Sequence, residues 1–458
     1  MTPPVDPRAN LQTIYRSAID SVDARSAVDR CLLVDHGGVA VCGRKLAQDA
    51  KLLVIAIGKA AAPMAAVVAA RVPHERIRAG LVVTKDDHAG SHALAPFEVC
   101  EAGHPVPDAR GEAAARRVLE LVASADPDDL LLVLLSGGAS ALVSLPPPGV
   151  SAEELAATNQ LLLESGADIA EMNAVRKHLS QISGGRLARG AAASRIMVLA
   201  ISDVAGDRLD VIGSGPCAPD PSRYADALEV LERRGLGQRV PRTVLEHLCR
   251  GRDGDEPESP KPGEPGFAQV EHRVVARNAD ARRAALAAAA ALGARAISLG
   301  ECIADEAACV GRRFAALAAA VMCSEPVFLV AGGESVVRVL GGGRGGRNQE
   351  LALAAAIEFD RSATEGPVLL AAGTDGTDGP TDAAGAWADS GTVERGRSQG
   401  ADAARSLADN DSNTFYRAES GLVVTGPTGT NVMDLVLVWV PPRDDSATTS
   451  NIGADPSV

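Results

Sequence analysis

Apolar residues in this chain gather into short uninterrupted runs, separated by longer stretches where apolar positions, many of them alanine, recur at helical spacing. Runs at 52–57, 81–84, 130–135 and 196–201, then at 273–276, 327–331, 336–340, 368–371 and 435–440, predict strands. Several are apolar at consecutive positions, as strands covered on both faces are. Between them the spacing predicts helices over 111–123, 151–165, 279–292 and 349–359. This alternation argues for an α/β class built on doubly wound parallel sheets. One segment breaks the rhythm. Residues 251–266, G-R-D-G-D-E-P-E-S-P-K-P-G-E-P-G, hold too much Pro, Gly and charge to bury a core. They read as a linker or surface insertion between a Rossmann-like α/β domain over 8–250 and a second α/β domain over 267–441. Residues 442–458 are expected to be a disordered tail.

Composition narrows the classes. At 458 residues the chain is long enough for two or three domains. Hydrophobic residues at 46% exclude disorder over most of it, and aromatics at 2% leave the core to Ala, Val, Leu and Ile. The formal charge is −14, and the 45 Lys and Arg are scattered, which argues against nucleic acid as a partner. Eight cysteines without a C-x-x-C pair read as buried reduced thiols. The first residues, M-T-P-P-V-D-P-R, lack the basic and apolar regions of a signal peptide. No apolar run approaches the roughly 20 residues of a membrane span. The expected location is the cytoplasm.

Ligands of open α/β sheets bind at the carboxyl ends of strands, so strand ends carrying Gly, Ser, Asp or a basic residue are the candidates. The first strand runs into Gly58-Lys59-Ala60, where a lysine can stand beside anions at a helix start, although no Walker sequence precedes it. The run 130–135 ends in Ser136-Gly137-Gly138-Ala139-Ser140, whose glycines free backbone N–H groups for an oxyanion. A plain turn would use the same letters. After 196–201 come Asp203 and Asp207. Either could be a general base or a Mg²⁺ ligand, with helix capping the default for Asp207. The densest signal lies further on. Gly332-Gly333-Glu334-Ser335 follows one run, and Gly341-Gly342-Gly343-Arg344-Gly345-Gly346-Arg347-Asn348 follows the next. Backbone N–H groups, a helix dipole and guanidinium forks are expected to converge there on an anion. Asp375, Asp378 and Asp382, spaced by Gly and Thr, suit a divalent cation, at least one of them serving only a turn. His104 lies in a Pro-rich loop and reads as a satisfied structural histidine, and no zinc-hydrolase His pair or G-x-S-x-G elbow exists.

Taken in order, these loops resemble the glycerate kinases whose C-terminal part is called the MOFRL domain. The matching segments run from Ile57-Gly58-Lys59-Ala60 through 101–108, 136–142, Asn173-Ala174-Val175-Arg176-Lys177-His178-Leu179-Ser180 and 202–216. They continue through 332–335, 345–351, 374–382 and 425–435, covering the chain from about 11 to 440. The resemblance implies transfer of the ATP γ-phosphoryl group to the 2-hydroxyl of D-glycerate with Mg²⁺, by two α/β domains with the active site in the cleft between them. It aligns Lys59 and Arg347 with the family's two catalytic basic residues. Ala139 in place of a third glycine, Met433 in place of an asparagine and Asp86-Asp87 in place of Tyr-Gly depart from the family pattern.

Phosphoryl transfer needs positioning and charge neutralisation more than covalent chemistry, which these loops suit. The expected roles follow. Lys59, Arg347 and Asp203 are catalytic, Asp203 as the base. Gly58, Ser136, Gly137, Gly138, Ser140, Gly332, Gly333, Glu334, Gly345, Gly346 and Asn348 hold nucleotide or substrate, and Asn173, Arg176 and Lys177 hold the glycerate carboxylate. Asp207, Glu334, Asp375 and Asp378 are the metal candidates. Two rivals stand. One is an NAD(P)H-dependent hydroxypyruvate reductase, since Gly341-x-Gly343-x-x-Gly346 fits a dinucleotide fingerprint. The other is a non-catalytic sugar-phosphate binder. The assembly is expected to be a monomer or homodimer, with neither nucleic acid nor membrane as partner.

Overall fold

A computed structural model describes residues 6–36, 38–90, 94–193, 195–362, 364 and 366–443. They form two compact units, Ala24–Ala276 and, separately, the residues up to Asp23 together with those from Arg277 onward.

In the first unit, β1 (Leu32–Asp35), β2 (Gly38–Val41) and β3 (Arg44–Lys45) make a small antiparallel sheet. The main sheet holds β4 (Leu52–Ile57), β5 (Ile77–Lys85), β6 (Glu98–Ala102), β7 (Leu130–Leu135), β8 (Arg195–Ile201) and β9 (Val270–Ala276). All neighbours are parallel, in the order β6-β5-β4-β7-β8-β9. The chain winds outward from β4 to β6, then returns to the other side of β4. The order reverses between β4 and β7, where a doubly wound sheet opens its binding crevice. Both strands are buried along their whole length. Leu53, Ile55 and Ile57 share a core with Ala114, Ala115 and Val118 of the helix Ala109–Ala123. The intervening residues of β4 are as deeply buried, so both faces are covered. Helices Ala152–Glu164, Ile169–His178, Tyr224–Arg233 and Arg242–Asp253 gather around Leu155, Leu162, Val175, Leu231 and Leu248 as a separate apolar cluster.

The segment 251–266 is not a linker between the units. It lies inside the first, and of its two readings the surface insertion describes it. Its polar residues find partners there: Asp220 N donates to the Pro260 carbonyl (2.7 Å), and Arg189 Nη1 to that of Glu258 (2.7 Å). The run at 273–276, expected to open a second domain, belongs to the last strand of the first sheet. The first helix, Pro7–Ser21, instead joins the second unit, where Tyr15 Oη donates to the Gly373 carbonyl (2.6 Å).

The second unit contains β10 (Arg295–Ile303), β11 (Val327–Gly333), β12 (Val368–Gly373), β13 (Gly385–Ala388), β14 (Leu422–Val423) and β15 (Asp434–Val440), in the order β10-β11-β15-β12-β13-β14. It is an α/β layer, but only β10 and β11 pair in parallel. The last long strand, β15, inserts antiparallel between β11 and β12, so the wholly parallel expectation fails here. Leu351, Leu353 and Phe359 of the helix Arg347–Arg361 pack with Leu329, Leu369 and Val436 in its core. No strand forms over 336–340 beyond an isolated bridge at Val336. Val339 and Leu340 are 73% and 72% exposed, since the loop bonds to residues 409–411 and not to a ladder. The expected tail falls outside the described residues except for Pro442 and Arg443, and Arg443 N donates to the Cys323 carbonyl (2.7 Å). Of the eight free cysteines only Cys217 is buried; Cys302 is exposed and the others half-buried, which corrects the expectation of buried thiols.

Candidate active site

Gly58 leaves β4 at φ +129°, and a Cβ there would overlap Ser136 Oγ and lie 2.5 Å from the Ser136 carbonyl oxygen. Only glycine lets the two loops touch at that angle. The loops are then stitched together, Lys59 N donating to the Gly137 carbonyl (2.9 Å) and Ala60 N to Ser136 Oγ (3.0 Å). Lys59 is thereby fixed at the point where the strand order reverses. Gly138, also left-handed, passes close to Lys59 Cγ and to the His104 ring. Ser140 Oγ lies 2.7 Å from Ser214 Oγ, which bonds Asn173 Oδ1 (3.3 Å).

A cavity of about 620 Å³ opens here, lined among others by His104, Gly138, Ser140, Arg176, Ser180 and Ser214. Arg176 Nε donates to Asn159 Oδ1 (2.9 Å), and burial pulls its guanidinium below the usual value. Among the described residues no carboxylate pairs with it, so the cavity offers a cation whose charge is not cancelled by protein. The next residue, Lys177, points elsewhere, as the helical turn requires. Its Nζ is buried between Asp210 Oδ2 (3.3 Å) and Asp220 Oδ1 (3.4 Å), an internal ion pair in place of the expected hold on substrate. Asp203 stands half-buried directly after β8, and Asp207 sits in the left-handed turn Ala205–Asp207 at φ +53°.

In the second unit Arg347 opens its helix and forks onto Asp434, Nε to Oδ2 at 2.5 Å and Nη2 to Oδ1 at 2.9 Å, while Nη1 lies 2.5 Å from Glu334 Oε1. Burial disfavours the charged guanidinium, but the two carboxylates outweigh it and hold it protonated. Asp378 caps the same helix, accepting from Asn348 N (3.0 Å), Gln349 N (2.9 Å) and Gln349 Nε2 (3.0 Å). Its burial pushes the carboxyl up to about 6 in spite of those bonds. Asp375 accepts from Thr377 N and Oγ1 (3.0 and 3.1 Å).

The first part of the glycine-rich loop, 340–344, turns its N–H groups inward. Leu340 N and Gly341 N donate to Asn410 Oδ1, Gly342 N to Asp409 Oδ1, and Arg344 N to Asp411 Oδ1. Arg344 itself holds the Pro380 carbonyl (2.7 Å). The side chains of Asp409, Asn410 and Asp411, remote in sequence, accept the bonds of 340–344 that were expected to go to phosphate. The glycines at 345 and 346 pass against Ser412 and Asp378, and Gly332 leaves room for buried Asn278, which bonds the carbonyls of Val432 and Asp434.

Asp207 belongs to one unit and Glu334, Asp375 and Asp378 to the other. Among the described residues no group of three or more His, Cys, Asp or Glu is arranged to hold an ion. Lys59, the 136–140 loop, Asn173 and Arg176 do come together, as do Arg347, Glu334 and Asn348. The residue reading missed two side chains. His104 lines the cavity at the carboxyl end of β6, where the strand-end rule points, and Asp434 anchors Arg347.

Comparison with known proteins decides the family. Residues 10–249 match a family described as a domain of unknown function, DUF4147, and residues 327–434 match the MOFRL family. A D-glycerate 2-kinase of Thermotoga maritima is 43% identical over 84% of this chain and 90% of its own, and a glycerate 2-kinase of Pyrococcus horikoshii 37% over 92% and 95%. The crystal structure of a Thermotoga maritima glycerate kinase superposes with a TM-score of 0.79 at 39% identity, over 95% of this chain and all of its own. The chain belongs to the MOFRL-type glycerate kinases. An Agrobacterium vitis relative, 38% identical over 95% of both chains, carries the provisional name hydroxypyruvate reductase. In this MOFRL-type kinase the DUF4147 match takes in residues 10–21 of the helix Pro7–Ser21, which belongs to the second unit, so family boundaries and compact units do not coincide. Among the described residues no helix is long and apolar enough to cross a membrane.

Proposed function

We propose that this chain transfers the γ-phosphoryl group of ATP to the 2-hydroxyl of D-glycerate, giving 2-phosphoglycerate and ADP. The observation carrying this reading is Lys59, locked at the switch point beside a cavity that contains the uncancelled charge of Arg176. Arg176 and Asn173 orient the glycerate carboxylate. Asp203 accepts the proton of the attacking hydroxyl. Lys59 and Arg347 counter the charge of the transferring group, Arg347 kept cationic and immobile by Asp434 and Glu334. When bound, Mg²⁺ neutralises the phosphate oxygens. An Mg²⁺ ion carried in by ATP keeps waters and needs one or two carboxylates, which Asp375 and Glu334 would supply.

The reductase reading loses its main support, because no strand runs into Gly341 and the N–H groups of Gly341, Gly342 and Gly343 are bonded within the chain. Two measurements test the proposal: coupled detection of ADP with D-glycerate, beside NADH or NADPH oxidation with hydroxypyruvate, and phosphorus NMR of the product. A 2-phosphoglycerate resonance is expected. A 3-phosphoglycerate resonance refutes the regiochemistry, and binding without turnover refutes catalysis.

A further inference from the structure

The small sheet that precedes β4 brings two cysteines face to face. The β1–β2 ladder ends at the Leu32–Val41 pair, and just beyond it Cys42, at φ +49° in the turn into β3, donates its N–H to the Cys31 carbonyl (2.7 Å). With standard backbone dimensions that one bond keeps the two Cα atoms within about 6.5 Å of each other, inside the span a disulfide bridges. Both residues are half-buried, within reach of solvent oxidants. No role in phosphoryl transfer involves them.

We propose that Cys31 and Cys42 form a redox-modifiable dithiol, closed to an intrachain disulfide by a small peroxide and reopened by thiols. Cys42 is the attacking partner. The hydrogen bond from the Cys31 thiol draws its thiol down to about 7 against burial, with Arg273 favouring the thiolate and Glu271 opposing it. The same bond and burial push the Cys31 thiol up, with Arg30 and Arg273 pulling the other way. The thiolate of Cys42 attacks one peroxide oxygen, the O–O bond breaks, and the hydroxide released takes up a proton as water. Cys42 is left as a sulfenic acid. The Cys31 sulfur then attacks the Cys42 sulfur, the S–O bond breaks, and a second water departs with the Cys31 proton. Two electrons pass from the thiol pair to the peroxide. The disulfide staples the end of the hairpin away from the Asp35–Gly38 pair, on the path of the chain into β4.

The sequence makes the test direct, because trypsin releases residues 31–44 as one peptide holding both cysteines and no other. The folded protein is treated with hydrogen peroxide, alkylated under denaturing conditions, digested and weighed. The expected peptide is unalkylated and lighter by two hydrogen atoms, and dithiothreitol before alkylation restores two alkylation sites. In Cys31→Ser the Cys42 sulfenic acid is trapped by dimedone, and in Cys42→Ser oxidation at Cys31 is slower than at Cys42 in the first variant. Double alkylation at a peroxide dose that has oxidised exposed Cys302, or a peptide joined to a second peptide, overturns the proposal.

Discussion

Lys59 follows a glycine that no other residue can replace without parting two loops, and its backbone is tied to Gly137. A cation so fixed needs no reorganisation as charge develops on a phosphoryl group. Lys59→Ala and Arg347→Ala are each expected to lower kcat by about 10²–10³ while circular dichroism stays native. Wild-type kcat in either variant removes that residue from the mechanism. The carboxylates separate by role. Asp203→Asn is expected to lower kcat at saturating Mg²⁺, and Asp375→Asn to raise the Mg²⁺ concentration needed for half-maximal rate. Metal titrations of the two variants check the split, and identical responses would contradict it. Lys59, Gly58 and the 136–140 loop were legible because strand ends and glycines report backbone geometry locally. The fates of Lys177 and Asp378 were not. Which of two adjacent helical residues meets Asp210 and Asp220, and which carboxylate caps a helix thirty residues earlier, depend on contacts that the sequence does not order.

Elements read well where hydrophobic period decides them, as in the wholly buried β4, β7 and β11. They read poorly where a partner decides them. The run 336–340 has strand composition, yet Asn410 offers Leu340 and Gly341 an acceptor and no neighbouring strand offers a ladder. The Pro-rich segment likewise became part of the first unit through a few polar anchors. Glu258 is the principal one: Oε1 lies 2.8 Å from His178 Nε2, and its carboxylate accepts from Ser259 N (2.8 Å) and Tyr224 N (3.2 Å). Burial alone would raise this carboxyl, but the His178 bond and the backbone N–H groups prevail and hold it well below its ordinary 4.5. A depressed carboxyl contributes stability above its unfolded value and loses it as pH falls toward the folded one. Glu258→Gln is therefore expected to unfold at lower urea than wild type at pH 7, with the gap narrowing at about pH 3.5. Because Glu258 is partly exposed, the effect is expected to be modest. A gap that is constant with pH would mean that the charge of Glu258 contributes nothing.

At the scale of the whole molecule, the chemistry is divided between two compact units that the linear sequence does not delimit. The first helix is separated from its unit by more than two hundred residues, and β15, last in the chain, completes the middle of its sheet. Lys59 belongs to the first unit and Arg347 to the second. Kinetics can show whether both act on one developing charge. If they act independently, the losses multiply, and the double variant Lys59→Ala/Arg347→Ala falls by about 10⁴–10⁶. If both cations are needed together by the same transferring group, removing the second costs little once the first is gone. The double variant is then expected to retain a kcat close to that of the worse single variant, measured with D-glycerate at saturating Mg-ATP. Full multiplication of the losses would show that the two cations stabilise the transition state independently and not as one clamp.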